Sequence, residues 1–282
     1  MERDVRSVED VLRLMDGMFE AGADRWSDRG GGWWDGFYAD REREVPFFAA
    51  KPDENLAAYL DRGLVTPGRA LDLGSGPGRN AVFLAGHGFG VEAVDLSATA
   101  IAWGEERARE AGVAVRFHCG DAFDLVRDEP HPVRADPGPV RDRPRPLRGG
   151  PYDLVYDSGC FHHLPPHRRV SYLALLRAHV APGGHFGLAC FAAGAGGMGS
   201  ELPDAELYGD GRLHGGLAYT AQSLRWIFGA LGWEEVELRR MRDEGADSAY
   251  FGEAFLWTAL FRRPVRGDRC EAGGGLTAAG PA

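Results

Sequence analysis

The chain has 282 residues, is 44% hydrophobic, and carries a formal net charge of −10 at pH 7, so it can form one large domain or two small ones with a buried core. The acidic balance argues against nucleic acid as a partner, since neutralising phosphates requires clustered positive charge. No apolar run approaches the roughly 20 residues of a membrane span, and the charged N-terminus lacks the apolar core of a signal peptide, so we expect a cytoplasmic protein without a membrane partner.

The pattern of residues 1–54 predicts a helical, aromatic-rich segment that covers the functional site. Apolar side chains recur at helical spacing over residues 8–20. A dense aromatic cluster follows, and three of its members are candidates for contact with a substrate: Trp33, Trp34 and Tyr38. The alternative is an amphipathic helix that packs on the core.

Strands and helices alternate from residue 55 onward, and this pattern predicts a parallel sheet with helices on both faces. Five strands are predicted at 70–73, 90–95, 113–117, 152–157 and 185–191. After a helix capped by Thr220, two further strands at 233–238 and 254–261 are joined by a polar link that favours an antiparallel pair. We therefore expect an α/β fold, with a Rossmann-like, seven-stranded, mostly parallel sheet, helices on both faces and a C-terminal antiparallel hairpin.

Three stretches carry no predicted strand or helix. Residues 127–150 are rich in Pro, Arg, Asp and Gly without apolar periodicity, which predicts a disordered insertion, with a substrate lid as the alternative. Residues 192–216 are glycine-rich and are expected to be irregular. Residues 267–282 predict a disordered tail, so the main domain is expected to span 55–266.

The most informative motif follows the first predicted strand. It reads Asp-Leu-Gly-Ser-Gly-Pro-Gly over residues 72–78, an acid followed by three alternate glycines just before a predicted helix. Glycines let a ligand lie against bare backbone, and a helix N-terminus favours electron-rich groups. The next strand ends at Asp95, about 20 residues further on, where a carboxylate can accept both hydroxyls of a ribose. The motif therefore predicts a nucleoside-containing cofactor.

The acidic residues distinguish between nucleoside cofactors. A pyrophosphate beside the carboxylate of Asp72 would be repelled, whereas a ligand that bears ammonium and sulfonium cations would not. The third predicted strand leads to Asp121 and Ala122, and Asp121 is placed to accept from the exocyclic amine of an adenine. A dinucleotide site does not need this third acid, although a dinucleotide cofactor stays open as an alternative.

These motifs closely resemble those of the class I S-adenosylmethionine (SAM)-dependent methyltransferases over about residues 71–263. The resemblance implies that SAM is the cofactor. It assigns the glycine motif to the methionine moiety, Asp95 to the ribose, Asp121 to the adenine and Asp157 to the cofactor's amino group. The cofactor-binding residues implied are Asp72, Gly74, Ser75, Gly76, Asp95, Leu96, Asp121, Ala122 and Asp157.

The segment after the fourth predicted strand, residues 157–166, would line the methyl-transfer side. Its His-His-Leu-Pro stretch is similar to one that is widespread among small-molecule methyltransferases. His162 or His163 could take a proton from a hydroxyl, amine or thiol acceptor, or both could be structural. Cys160 lies close to both histidines in sequence. At a strand end, however, side chains at this spacing point in different directions and cannot converge on one ion, so we expect no metal. The motif of DNA amino-methyltransferases is lacking here.

The sequence thus predicts an enzyme that transfers a methyl group from SAM to O, N or S of a small molecule, as a monomer or homodimer. A SAM-binding enzyme without methyl transfer and a dinucleotide-dependent oxidoreductase are the alternatives. No unique catalytic base is predicted, because methyl transfer from a sulfonium depends mainly on in-line positioning.

Overall fold

The structure, a computed structural model, describes residues 5–125, 150–196 and 198–265 with the exception of positions 21 and 23. The strands are β1 (Arg69–Leu73), β2 (Gly90–Asp95), β3 (Val115–Cys119), β4 (Tyr152–Ser158), β5 (Val180–Phe191), β6 (Glu234–Arg240) and β7 (Leu256–Arg262). They form one sheet in the order β3-β2-β1-β4-β5-β7-β6. The first five strands pair in parallel, whereas β7 is antiparallel to both β5 and β6. The predicted fold class is confirmed.

Nine helices accompany the sheet in the described part of the chain. They are α1 (Val8–Asp16), α2 (Gly31–Ala39), α3 (Glu54–Asp61), α4 (Arg79–Gly86), α5 (Ala98–Glu110), α6 (Ala122–Leu125), α7 (Arg168–His179), α8 (Asp204–Asp210) and α9 (Ala221–Gly229). Thr220 caps α9 as predicted, because its side-chain oxygen accepts the backbone N–H of Ser223 at 3.0 Å. None of these nine helices is both long and apolar enough to span a membrane.

The central strands are buried on both faces, as is typical of a parallel sheet covered by helices. In β1, Leu71 belongs to a core with Tyr172 of α7 and Phe228 of α9. The neighbouring Ala70 belongs to a second core with Leu84 of α4. Successive residues of a strand point to opposite faces, so the two cores lie on the two sides of the sheet.

Several strand boundaries differ from the sequence prediction, and one stretch predicted to be irregular contains a helix. Strand β3 begins two residues later than expected, and β5 begins at Val180 because its pairing with β4 continues across a register shift. The stretch 192–216 contains α8, a helix of seven residues that is too short to produce a periodic apolar pattern. The expected insertion at 127–150, apart from Gly150, and the expected tail at 267–282 lie outside the described residues.

The topology places three loops beside one another. Leu73 of β1 pairs with Val94 of β2 on one side and with Asp157 of β4 on the other. The order of strands along the chain reverses between β1 and β4, which makes this position a topological switch point. In open α/β sheets, ligands bind at such a point beyond the carboxyl ends of the strands.

Helix α2 is attached to this edge of the sheet by a carboxylate. Oδ1 of Asp35 accepts hydrogen bonds from the hydroxyl of Ser97 at 2.7 Å and from the backbone N–H of Thr99 at 2.9 Å. Ser97 also caps α5 through its side chain, which accepts the N–H of Ala100 at 3.0 Å. The aromatic helix and the start of α5 therefore share one hydrogen-bond network.

Helix α1 is attached to α7 by a buried charged cluster centred on Asp16. Oδ1 of Asp16 lies 2.8 Å from Nε2 of His167 and accepts from Nε of Arg168 at 3.0 Å and Nε1 of Trp26 at 3.0 Å. Arg168 also donates to Glu9 at 3.0 Å. Burial raises the pKa of Asp16, but the hydrogen bonds from His167 and Arg168 outweigh this effect and lower the pKa from 3.8 to about 2.

We predict that Asp16→Asn lowers the free energy of unfolding at pH 7 by on the order of 3 kcal/mol, because it leaves the buried Arg168 with only the half-buried Glu9 as a charge partner. A carboxyl group whose pKa is depressed on folding contributes stability above about pH 4 and loses it as the pH falls toward 2. Urea unfolding should therefore show the wild type and the variant converging over that interval. Glu20→Gln, in an exposed pair with Arg212, is the control, and an Asp16→Asn loss independent of pH would contradict this account.

Candidate active site

A cavity of about 430 Å³ lies at the carboxyl ends of β1, β2 and β4 and is also lined by side chains of α2. The predicted site residues that line it are Trp33, Trp34, Tyr38, Gly74, Ser75, Gly76, Asp95, Leu96, Asp121, Ala122, His162 and His163. Two predicted residues, Asp72 and Asp157, are not part of the lining. The structure thus brings the cofactor motif, the histidines and the aromatic segment to one place.

The glycines of the loop after β1 are required by close packing and by backbone conformation. Gly74 and Gly76 have φ angles of +61° and +51°, in the left-handed region that favours glycine. A Cβ on Gly74 would lie 2.6 Å from Cβ of Cys160, and one on Gly76 would lie 2.9 Å from the hydroxyl of Tyr38. The loop therefore presents bare backbone to the cavity.

Asp95 at the end of β2 is held by two backbone amides. Its Oδ2 accepts the N–H of Gly76 at 2.8 Å, and its Oδ1 accepts the N–H of Ser97 at 2.8 Å. A carboxylate oxygen can accept more than one hydrogen bond, so both oxygens retain capacity for the hydroxyls of a ribose. Burial raises the pKa of Asp95 to about 6, although the two amides oppose this shift.

Asp121 and Ala122 lie at the adjacent strand end. Oδ1 of Asp121 accepts the backbone N–H of Phe123 at 2.8 Å, which orients the carboxylate at the start of α6. Asp121, Ala122 and Phe123 all line the cavity. This arrangement suits recognition of an adenine edge and face, as the resemblance implied.

Two polar atoms near the glycine loop are buried. Oδ2 of Asp72 and Oγ of Ser75 are buried without a hydrogen-bond partner among the described residues. Burial raises the pKa of Asp72 well above its usual value, and Arg79 opposes the shift. Buried polar groups are nearly always satisfied in folded proteins, and of these two residues only Ser75 lines the cavity, where its hydroxyl suits a polar group of the methionine moiety.

Asp157 makes its hydrogen bonds within the protein. Its Oδ1 accepts the N–H of Cys160 at 2.8 Å, and its Oδ2 accepts the hydroxyl of Tyr172 at 2.6 Å. The side chain is fully buried, and burial raises its pKa to about 6. Asp157 therefore joins the loop after β4 to helix α7, and its contact with the cofactor's amino group stays a prediction.

The two histidines differ in their protonation and partners. Nδ1 of His162 accepts the backbone N–H of Phe191 at 3.3 Å, and the two rings stack with centroids 3.7 Å apart. Burial and the neighbouring His163 hold the pKa of His162 well below 6.5. A neutral imidazole whose Nδ1 accepts a hydrogen bond carries its proton on Nε2. The Nε2–H of neutral His162 is therefore a hydrogen-bond donor, and the prediction that one of the two histidines takes a proton stays a prediction.

His163 lies against the aromatic helix. Its ring meets that of Trp34 edge-on with centroids 5.1 Å apart. Burial and the positive charge of Arg25 lower the pKa of His163 to about 4. His163 is therefore neutral at pH 7, and because its pKa is low it accepts a proton only weakly there.

A buried ion pair positions the helix that follows the glycine loop. Arg79, the first residue of α4, pairs with the fully buried Asp53 and donates to Oγ of Ser158 at 2.9 Å. Asp53 also accepts from Tyr156 at 2.7 Å and from Asn80 at 3.1 Å. The network therefore connects the segment before α3 with α4 and β4.

Several lining residues were not predicted from the sequence. Phe191 ends β5, and the rule that ligands bind beyond strand ends could have indicated it. Arg25 and Phe255 lie outside the regular elements, and neither belongs to a motif. Within the described residues, no group of three His, Cys, Asp or Glu side chains is placed to hold a metal ion.

The sheet order, the antiparallel last strand and the glycine-loop crevice together define a class I methyltransferase. A family model described as a methyltransferase domain matches residues 41–238. The match extends over more than half of the chain, and the chain belongs to this family. Its cofactor is SAM, which decides between the cofactors that the sequence motifs left open.

Solved structures share the fold at low sequence identity. One, from work on the conversion of a disulfide bond into a thioacetal group during echinomycin biosynthesis, is 23% identical with a TM-score of 0.55 and covers 83% of this chain and 93% of its own. A second is Burkholderia thailandensis 1,6-didemethyltoxoflavin-N1-methyltransferase with bound 1,6-didemethyltoxoflavin and S-adenosylhomocysteine (SAH), at 20% identity and a TM-score of 0.52 over 94% of this chain and 93% of that one. A DhpI–SAH complex is 21% identical with a TM-score of 0.53, over 86% and 98% of the two chains.

A curated relative matches a shorter stretch. Ribosomal RNA small subunit methyltransferase C of Alcanivorax borkumensis is 36% identical over 72 residues. These residues are 26% of this chain and 22% of the relative, so the similarity spans about a fifth of the relative's length. It supports a shared methyltransferase core and carries no information about the acceptor.

We predict that Asp95→Asn weakens SAH binding at pH 7.5 by about tenfold or more, since a hydrogen bond to a charged group contributes about 1.5–3 kcal/mol. Because burial raises the pKa of Asp95 to about 6, wild-type affinity should fall as the pH drops through 6, and the variant should lack most of that change. Calorimetry from pH 5 to 8 measures both effects. Asp61→Asn, on the exposed end of α3, is the control, and unchanged affinity in Asp95→Asn would refute the ribose role.

Proposed function

We propose that this methyltransferase transfers the methyl group of SAM to an O, N or S atom of a small, largely apolar molecule. The observation that carries the proposal is a single cavity lined both by the cofactor loop and by aromatic side chains from three separate segments. These are Trp33 of α2, Phe191 of β5 and Phe255 before β7. Concave sites lined mainly by apolar and aromatic groups are typical of small-molecule recognition.

The charge of the chain supports a small-molecule acceptor over RNA. The net charge is −10, and the cavity wall includes Asp95, Asp121 and Glu44, whereas RNA backbones are bound by clustered cations. The similarity to a ribosomal RNA methyltransferase is confined to 72 residues. The absence of a nucleic-acid partner, the cytoplasmic location, the monomeric or homodimeric state and the division into segments 1–54 and 55–266 stay predictions.

Different lining residues would bind the cofactor and the acceptor. Bound SAM supplies a methyl group on a positively charged sulfur. Gly74, Gly76 and Asp95 would hold the cofactor, while Trp33 and Phe191 would hold the acceptor and exclude water. Catalysis then rests chiefly on orientation, which can supply much of the rate enhancement in a transfer between two bound partners.

The direct test incubates the enzyme with SAM and a panel of phenols, thiols and heterocyclic amines and measures SAH by mass spectrometry. We expect SAH formation that depends on one acceptor class and falls sharply in Asp95→Asn. If no small molecule stimulates SAH formation while purified RNA accepts labelled methyl groups, the proposal is wrong.

We predict that His163→Gln lowers kcat by less than about tenfold, whereas a general base typically contributes 10²–10⁴-fold. With a pKa of about 4, neutral His163 gains little by accepting a proton at pH 7. The measurement is kcat and SAH affinity with the best acceptor from the panel. His87→Gln, at the exposed end of α4, is the control, and a loss of more than about 100-fold in kcat with normal SAH affinity would make His163 the base.

A further inference from the structure

Arg25 lines the cavity beside the aromatic side chain of Trp33. The guanidinium carbon lies 3.7 Å from the ring centroid of Trp33, and both residues line the cavity. Nη1 donates to the backbone oxygens of Gly22 at 2.7 Å and Asp24 at 3.1 Å. These contacts fix the guanidinium beside the aromatic wall and leave other N–H groups of its fork for a ligand.

Arg25 forms no ion pair with a described side chain, although the nearby carboxylate of Asp24 acts on its charge. The carboxylate of Asp24 is occupied by the N–H groups of Trp26 and Ser27 and by Arg29. Among the side chains that the structure describes, no carboxylate forms an ion pair with Arg25, although Glu44 lines the same cavity. Burial lowers the pKa of Arg25, with Asp24 opposing the shift, so a partly desolvated cation stands at the cavity wall.

Arg79, the other arginine in the cavity lining, differs from Arg25 because it has a carboxylate partner. It forms a buried ion pair with Asp53, so its charge is balanced inside the protein. The positive charge of Arg25, in contrast, acts on another lining residue, His163, whose pKa is lowered mainly by burial and to a smaller extent by Arg25. A negatively charged group of the acceptor would be attracted to this position.

His162, which also lines the cavity, supplies a second donor. Its Nδ1 is occupied by the N–H of Phe191, so the neutral ring carries its proton on Nε2. The stacking on Phe191 fixes the ring plane. Two fixed donors, one charged and one neutral, therefore accompany the aromatic lining.

We propose that the acceptor is an oxyanion on an apolar, ring-bearing frame, with Arg25 as its counter-ion and the Nε2–H of His162 as a second donor. The inference rests on the proposed function, because it assumes that the acceptor occupies this cavity. Carboxylates, enolates and phenolates share the required chemistry. An ammonium group would be repelled by Arg25, and a neutral amide would lose the charge-assisted bond.

The test compares naphthoate with its neutral analogue naphthamide as probes for the SAH-saturated enzyme. We expect the wild type to bind naphthoate about tenfold or more tightly than naphthamide, as a charge-assisted hydrogen bond requires. Arg25→Met should remove this preference by weakening naphthoate binding far more than naphthamide binding, while Arg25→Lys should retain part of it. Arg212→Met, in an exposed pair with Glu20 outside the cavity, should behave as the wild type.

Calorimetry or tryptophan fluorescence gives the affinities, and SAH binding verifies that each variant is folded. Arg25→Gln keeps a donor for Gly22 and removes the charge, so it decides the question if Arg25→Met does not fold. Equal binding of both probes by the wild type, or a naphthoate preference that survives in Arg25→Gln, overturns the oxyanion proposal and leaves the proposed function intact. If neither probe binds while SAH does, the aromatic acceptor site and the oxyanion proposal both fail.

Discussion

The buried ion pair between Asp53 and Arg79 is the interaction on which the rest of the site depends. It joins the segment before α3, the first turn of α4 and, through Tyr156 and Ser158, the strand β4. Removing one partner of such a pair typically costs about 3–5 kcal/mol, because the other charge stays buried. Since α4 begins directly after the glycine loop, this network also determines where the loop lies relative to β4.

A path of hydrogen bonds links Asp95 to the aromatic helix α2. Asp95 accepts the backbone N–H of Ser97, and the hydroxyl of Ser97 donates to Asp35 of α2. Tyr38 of the same helix lies against Gly76, whose N–H binds Asp95. The aromatic helix α2 and the glycine loop are therefore joined in one hydrogen-bond network, although they come from distant parts of the chain.

The electrostatics of the site suit its cofactor. Asp72, Asp95 and Asp157 lie at or near the carboxyl ends of adjacent strands, and burial raises the pKa of each. Backbone amides compensate Asp95 and Asp157, but Oδ2 of Asp72 has no partner within the described residues. A cationic ligand lowers the cost of holding these charges together, whereas a pyrophosphate would add to it.

The sequence by itself determined the sheet, the glycine loop and twelve of the residues that line the cavity, because strand alternation and a glycine motif are local patterns. It also placed Asp95 and Asp121 correctly at the cavity, since the carboxyl ends of parallel strands meet at one edge. Only the tertiary structure decided that Asp157 faces Tyr172, that His162 is a donor and that the charge of Arg25 faces the cavity. Each of these depends on contacts between residues far apart in the chain, or on the burial that those contacts create, and neither leaves a periodic signal in the sequence.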